Sequence, residues 1–294
     1  MKILTCSSLI LTTLFWGGTF IAGRLLSADL SPANSSFLRF AIASLSLLAI
    51  IKLSGKKLPI PQKGQWITLF LLGLTGVFGY NICFFTGLKY ISAGRAALII
   101  AFTPLTITLL AALFTNERLN FKQFGGILIS LFGALLVISN GRLHLLFHGG
   151  IGPGEKALLG CVLSWALYSI VGRSILTRLS PLVTVCYSSI AGTLLLAIPA
   201  ARDNLAGALY SITILNWFSL AYLGIFGTAI GFSLYYRGIK IIGPSRTAVF
   251  INLVPFFALL LAYLLLDETI QPVVLAGGFL IIIGISATNM AGNT

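Results

Sequence analysis

Residues 15–32 read FWGGTFIAGRLLSADLSP, and residues 164–181 read SWALYSIVGRSILTRLSP. Trp16, Gly23, Arg24, Leu30, Ser31 and Pro32 of the first stretch return as Trp165, Gly172, Arg173, Leu179, Ser180 and Pro181 of the second, every pair 149 apart (16 to 165, 32 to 181). Further along, the spacing becomes 151 (66 to 217, 133 to 284). It pairs Trp66 with Trp217, Gly73 with Gly224, Gly76 with Gly227, Gly87 with Gly238 and Lys89 with Lys240. The same spacing pairs Arg95 with Arg246, Pro104 with Pro255, Glu117 with Glu268, Gly126 with Gly277 and Gly133 with Gly284. One two-residue insertion accounts for the change. Rare residues matching in register over this length mean that the chain is a duplication.

Composition says what was duplicated. Of 294 residues, 57% are hydrophobic and 9% charged, and the mean hydropathy is +1.02. An ordinary soluble domain is roughly 25% charged, so a soluble enzyme, a disordered tail and a fibrous repeat are all excluded. The uncharged windows are 3–23, 40–51, 64–88, 96–116, 123–141, 157–172, 179–201, 204–236, 247–266 and 269–294, ten in all. Eight approach or exceed the ~20 residues a membrane helix needs. The short ones, 40–51 and 157–172, reach that length if a flanking Arg or Lys snorkels to the interface. The windows lack strict alternation, which favours helices over an outer-membrane barrel. Met1-Lys2 and the apolar run after them have the look of a signal peptide, but no A-x-A-like cleavage site follows, so a first span is expected.

Five helices per copy is an odd number, so the second copy must enter the membrane from the opposite side. The expected fold is therefore an all-α integral membrane protein of ten transmembrane helices in two inverted-topology five-helix repeats. The first repeat is expected over 1–141, a linker over 142–156 and the second repeat over 157–294. Inverted halves can rock about a shared midplane site, the architecture of alternating access.

The net charge of +13, from 19 Lys+Arg against 6 Asp+Glu, would point to nucleic acid in a soluble protein. Here it is a topology signal. With a cytoplasmic N-terminus, the inside holds Lys2, Lys52, Lys56, Lys57, Lys63, Arg118, Lys122, Arg173, Arg178, Arg237, Lys240 and Arg246. The outside holds Arg24, Arg39, Lys89, Arg95, Arg142, Lys156 and Arg202. Twelve against seven favours both termini inside the cell. The expected partners are the lipid bilayer and a small molecule, with no nucleic acid; the sequence is compatible with a monomer and does not fix the oligomeric state.

Gly87-Leu88-Lys89-Tyr90-Ile91-Ser92-Ala93-Gly94, Pro104, Asn116-Glu117-Arg118-Leu119 and Gly125-Gly126 together resemble the repeat signature of the EamA family of the drug/metabolite transporter superfamily. The second copy offers Gly238-Ile239-Lys240, Pro255, Asp267-Glu268-Thr269 and Gly277-Gly278. Phe15-Trp16-Gly17-Gly18-Thr19-Phe20 is similar to the family's first-helix opening, and Arg39-Phe40 to its second-helix Arg-Phe pair. The resemblance implies ten helices around a central cavity and transport of small metabolites, often amino acids or related compounds. It also implies residence in the cytoplasmic (inner) membrane. The small multidrug branch of the superfamily couples to protons through a first-helix Glu, and residues 3–23 contain no acid.

The residues themselves narrow the chemistry. The six acids, Asp29, Glu117, Glu155, Asp203, Asp267 and Glu268, all fall at expected helix ends or loops. No intramembrane carboxylate is left to carry a proton or hold a cation. Substrate pockets are mostly apolar and aromatic with a few placed polar groups. That makes Trp16, Trp165, Tyr168, Tyr80, Phe84 and its repeat partner Tyr235 candidate binding residues. Asn81 and Asn252 join them as mid-membrane amides that need a partner, in a substrate or a neighbouring helix. Pro104 and Pro255 are expected to break the fourth and ninth helices near the binding region and to act in gating. Thr103 offers a hydroxyl beside the first break. Gly73, Gly76, Gly224, Gly227 and Gly231 read as close helix contacts. Most cations sit near helix ends, where snorkelling is the default. Arg39 is the exception, inside the second helix with Ser188 as its register partner.

No cofactor, metal or catalytic residue is expected. Cys6, Cys83, Cys161 and Cys186 are scattered in apolar windows. His144 and His148 form an isolated pair in the linker. The glycine-rich 149–156 lacks the Ser/Thr that a phosphate loop needs. No nucleophile, acid/base pair or metal cluster gathers in one place, so an enzyme or a scaffold is the weaker reading. The expected function is secondary transport of small polar metabolites, amino acids or derivatives, in the export direction. Uptake or exchange of a larger metabolite such as S-adenosylmethionine is the alternative.

Overall fold

The computed structural model describes residues 2–55, 58–91, 96, 99–114, 120–139, 141–143, 152–266 and 271–290. Arg95, the Asn116–Leu119 and Asp267–Thr269 motifs, His144 and His148 lie outside them. The described residues form ten main helices and no strand. In the first half they are α1 (Lys2–Asp29), α2 (Pro32–Leu53), α3 (Lys63–Tyr90), α4 (Thr103–Phe114) and α5 (Phe121–Ser139). In the second they are α6 (Pro153–Ile175), α7 (Pro181–Arg202), α8 (Ile214–Ile242), α9 (244–266) and α10 (Pro272–Met290). Nine are long and apolar enough to cross a membrane, and α4 is a shorter apolar helix. A small surface helix, Leu205–Ser211, precedes α8.

The repeated Leu-Ser-Pro is a helix start. Ser31 and Ser180 are N-caps whose hydroxyls accept from Asn34 N at 3.2 Å and Val183 N at 3.4 Å. Pro32 and Pro181 occupy the first turn, where a missing N–H costs nothing. The second half begins four residues before its uncharged window (153 against 157). Pro153 opens α6, and Glu155 Oε2 accepts from Gly152 N at 2.9 Å. The phosphate-loop-like segment is thus in part the cap of a helix.

The two halves interlock. α1 packs on α8 and α9 of the other half, and α6 packs on α3 and α4. α2 pairs with α7, and α5 with α10. Two contacts mark the pseudo-twofold axis, because repeat partners touch each other there. Ser44 Oγ lies 3.2 Å from Thr193 Oγ1, and the rings of Trp16 and Trp165 meet edge to face at 5.3 Å. The α5–α10 pair closes to backbone contact at glycines. A Cβ on Gly133 would sit 2.7 Å from Gly277 O, and one on Gly284 would sit 2.5 Å from Gly126 O. These two contacts are exchanged by the repeat, as small-residue packing within a bilayer requires.

Both third helices leave α-geometry at the same repeat position. Gly73–Gly79 in α3 and Leu223–Ile230 in α8 are wound as π-helix. Such segments are rare and concentrate at functional sites. Polar side chains bond the looser turns: Asn81 Nδ2 donates to Val77 O at 2.8 Å, and Thr228 Oγ1 donates to Leu223 O at 2.9 Å.

Candidate functional site

A small central cavity of about 40 Å³ lies where the halves meet. Its walls are Trp16, Thr19 and Phe20 of α1, Arg39 of α2, Tyr80 and Phe84 of α3, and Ile100 and Thr103 at the start of α4. The second half adds Trp165 of α6, Phe232 of α8, and Ile251 and Val254 of α9.

The aromatic walls pack on one another. Trp165 meets Phe232 at 4.8 Å and Tyr80 at 5.0 Å, while Tyr80 stacks on Phe84 at 5.8 Å. Trp16 Nε1 donates to Gly227 O at 2.9 Å, a carbonyl of the α8 π-segment. Gly231 makes room for that indole, since a Cβ there would sit 2.8 Å from Nε1. The repeat-related Trp165 Nε1 is buried without a hydrogen-bond partner of acceptable geometry.

Arg39 is the polar centre. It is only 3% exposed. Nε donates to Thr228 Oγ1 at 3.0 Å, and Nη1 donates to Asn81 Oδ1 at 3.0 Å. Its cation also lies 5.4 Å over the Phe40 ring. No carboxylate pairs with it among the described residues. A guanidinium has five N–H donors, and these two bonds leave several free beside the cavity. The side chain ties α2 to both π-wound helices, because Thr228 lies in one π-segment and Asn81 stands two residues past the end of the other.

Of the residues singled out by sequence, Trp16, Arg39, Tyr80, Phe84, Thr103 and Trp165 line the cavity. Arg39 does not snorkel. Its helix reaches length by burying the charge, which removes it from the outer tally and makes the count twelve against six (7 − 1). Asn81 stands behind Arg39 as its acceptor. Tyr168 and Tyr235 form a buried second layer against Trp165, at 5.2 and 5.3 Å, and do not line the cavity. The Tyr235 hydroxyl is 2.9 Å from Ser169 Oγ. Asn252 also stands elsewhere: its amide donates to Ser130 Oγ of α5 at 3.0 Å, so a neighbouring helix supplies its partner. Pro104 is in the first turn of α4, not in a helix interior. Pro255 follows a 3₁₀ turn, Val249–Asn252, that interrupts α9. A ring without an N–H suits the start of a helical segment, so each proline begins one beside the cavity.

The sequence reading missed Thr19, Phe20, Ile100, Phe232, Ile251 and Val254 in the walls and Thr228 behind them. A signal existed for one of these: Phe232 is the register partner of Asn81.

Two further pockets with basic residues in their walls lie near opposite ends of the bundle. One, of about 340 Å³, has Arg24 and Lys89 in its wall, at the C-terminal ends of α1 and α3. The other, of about 710 Å³, has Arg237 and Lys240, at the C-terminal end of α8 and the start of α7. Helix direction alternates along the chain, which puts these two ends on opposite membrane faces.

Ten helices in two inverted halves, closed around an aromatic cavity with one buried cation among the described residues, define a multi-pass membrane transporter built by duplication. The chain belongs to the EamA-like transporter family, whose sequence profile matches residues 3–139 and again 152–290. It is 30% identical to an uncharacterized transporter of Archaeoglobus fulgidus, over 94% of this chain and 95% of that one. It is 29% identical to the uncharacterized transporter YyaM of Bacillus subtilis, over 93% and 89%. A probable terminal-alkyne amino-acid exporter of Streptantibioticus cattleyicolor is 29% identical, over 96% and 92%. A crystal structure with 22% identity shares the fold at a TM-score of 0.79, over 100% of this chain and 99% of that one. As a member of this family the protein is a multi-pass inner-membrane transporter and not an enzyme.

Proposed function

We propose that the protein carries small organic metabolites bearing a carboxylate, amino acids or their derivatives, out of the cell by alternating access around the central cavity. The observation that carries this is Arg39. A charge at the bilayer centre costs about 2.5–3.5 kcal/mol on insertion scales, and this one has no protein counter-ion among the described residues. A buried ionisable group in a membrane protein is a functional site by default, with its partner to be named. Here the fitting partner is an anionic group on the cargo, held by the guanidinium N–H groups that the protein leaves unused. The aromatic walls suit an organic side chain. The named amino-acid exporter among the relatives supports the class and the direction. The touching pairs Trp16–Trp165 and Ser44–Thr193 give the halves an axis about which to rock.

The test is flux into proteoliposomes with a labelled panel of amino acids, organic acids and amines, followed by counterflow. Saturable flux of carboxylate compounds, lost in Arg39→Met, is the expected result. No solute crossing above empty liposomes overturns the proposal.

A further inference from the structure

We propose that the cavity recognises its cargo through the carboxylate alone, so that the des-amino acid of a given side chain binds at least as tightly as the amino acid. This rests on the transport reading above and deepens it to a substrate class: organic monoanions, with zwitterions accepted but not required.

The polar groups around the cavity are unequal. Arg39 and Trp165 Nε1 can only donate, and the buried indole N–H, beside the Tyr235 hydroxyl, makes no well-formed hydrogen bond within the protein. The other polar wall residues are the neutral hydroxyls of Thr19, Tyr80 and Thr103. The Thr19 hydroxyl already donates to Trp16 O at 2.6 Å. Asn81, the nearby amide oxygen, is held by Arg39. No described wall residue is a carboxylate that could receive an ammonium.

Charge balance points the same way. A monoanion beside Arg39 makes a neutral pair inside a low-dielectric bundle. A zwitterion leaves the site with a net positive charge, and its ammonium must lose water with no anion to replace it. Aromatic faces can hold a cation, but these rings are turned against each other. Trp16 meets Trp165 at 88°, Trp165 meets Phe232 at 76°, and Phe20 meets Phe84 at 76°. Edge-to-face packing covers faces that an ammonium would need. Pockets near the two ends of the bundle carry the same sign: Arg24 and Lys89 on one membrane face, Arg237 and Lys240 on the other, with no acid in either wall among the described residues. A field of that sign favours anions over amines near the protein.

The experiment is binding to the purified full chain, read by tryptophan fluorescence and thermal stabilisation. Two matched series serve as probes: phenylalanine, 3-phenylpropionate and phenethylamine; and leucine, 4-methylpentanoate and isoamylamine. The expected order in at least one series is des-amino acid equal to or tighter than amino acid, with the amine at least tenfold weaker. Arg39→Met should remove binding of both acids. If the amino acid binds and its des-amino analogue is more than tenfold weaker, the ammonium is required; this inference fails while the amino-acid reading stands. If the amine binds and the acids do not, or if neither series gives saturable binding, both readings fail.

Discussion

The duplication sets two flanks of the cavity side by side. On one, Arg39 of α2 reaches Asn81 of α3 and Thr228 of α8. On the other, the register partners of these three residues are Ser188, Phe232 and Val77. The backbones are matched down to the paired π-segments, yet every polar member of the first flank faces an apolar or small residue in the second. The repeat therefore builds the cavity, the axis and the helix breaks, while the departure from the repeat supplies the chemistry. An inverted-repeat carrier needs symmetry for the motion and asymmetry for one cargo in one orientation. Here the two requirements are met by different residues.

The sharpest way to break this contrast is to erase the polar flank. Arg39→Met removes the charge at nearly constant length. Losing a buried anion's partner costs on the order of 2–5 kcal/mol, so affinity for the carboxylate cargo should fall about 30-fold or more. Stability should not fall with it. The lone charge's burial cost disappears, offsetting the loss of the bonds to Asn81 and Thr228, each worth about 1 kcal/mol. Thermal melting in detergent and flux in proteoliposomes separate the outcomes. A variant that melts far lower while keeping its flux per folded molecule would make Arg39 a structural strut.

That flank was only half legible in the sequence. Arg39 stands out because it is the one cation well inside a helix and its partner in the second copy is Ser188. The crossings and the inversion could be read too, since they follow from charge-free lengths and an odd number of helices per copy. Asn81 could be suspected as a mid-membrane amide. Thr228 could not, because a lone Thr in an apolar run gives no sign of what lies across the bundle. The packing of α8 against α2 decides it, and periodicity within α8 carries no information on that. The same limit explains Tyr168, Tyr235 and Asn252. All three are aromatic or polar and mid-membrane, as a pocket residue would be, but Ser169 bonds the Tyr235 hydroxyl and Ser130 accepts from the Asn252 amide N–H, both from within the protein. π-winding leaves no pattern that a 3.6-residue period reveals. Its outward trace is the run of glycines at 73, 76 and 79.

A smaller change tests whether the two π-segments respond to the clamp. Thr228→Val writes the second flank's Val77 into the first at nearly the same shape. It removes the acceptor of Arg39 Nε and the bond to Leu223 O. Loss of about 1 kcal/mol corresponds to a factor of about five. The expected result is a roughly fivefold rise in KM with a modest change in maximal rate, because Asn81 still holds the guanidinium. Backbone amide exchange over Leu223–Ile230 should speed up, whereas Gly73–Gly79 should be unaffected. Equal acceleration in both segments would mean that the flanks are coupled as one unit.

The finest contrast lies between the two indoles that meet on the axis. Trp16 and Trp165 are repeat partners with similar burial, but only Trp16 Nε1 has an acceptor, Gly227 O. Trp16→Phe and Trp165→Phe delete much the same ring volume, so the difference between them isolates the N–H. Trp16→Phe removes the indole's bond to Gly227 O, worth about 1 kcal/mol, and should lower the melting temperature of the unliganded protein more than Trp165→Phe does. The order should reverse with a carboxylate ligand such as 3-phenylpropionate. Trp165→Phe then loses a donor that is poorly engaged within the protein and open to the ligand, so its ligand-induced stabilisation should shrink while that of Trp16→Phe persists. If both variants lose stability and ligand response equally, the indoles act as a symmetric pair, and the polarity of the cavity rests on Arg39 alone.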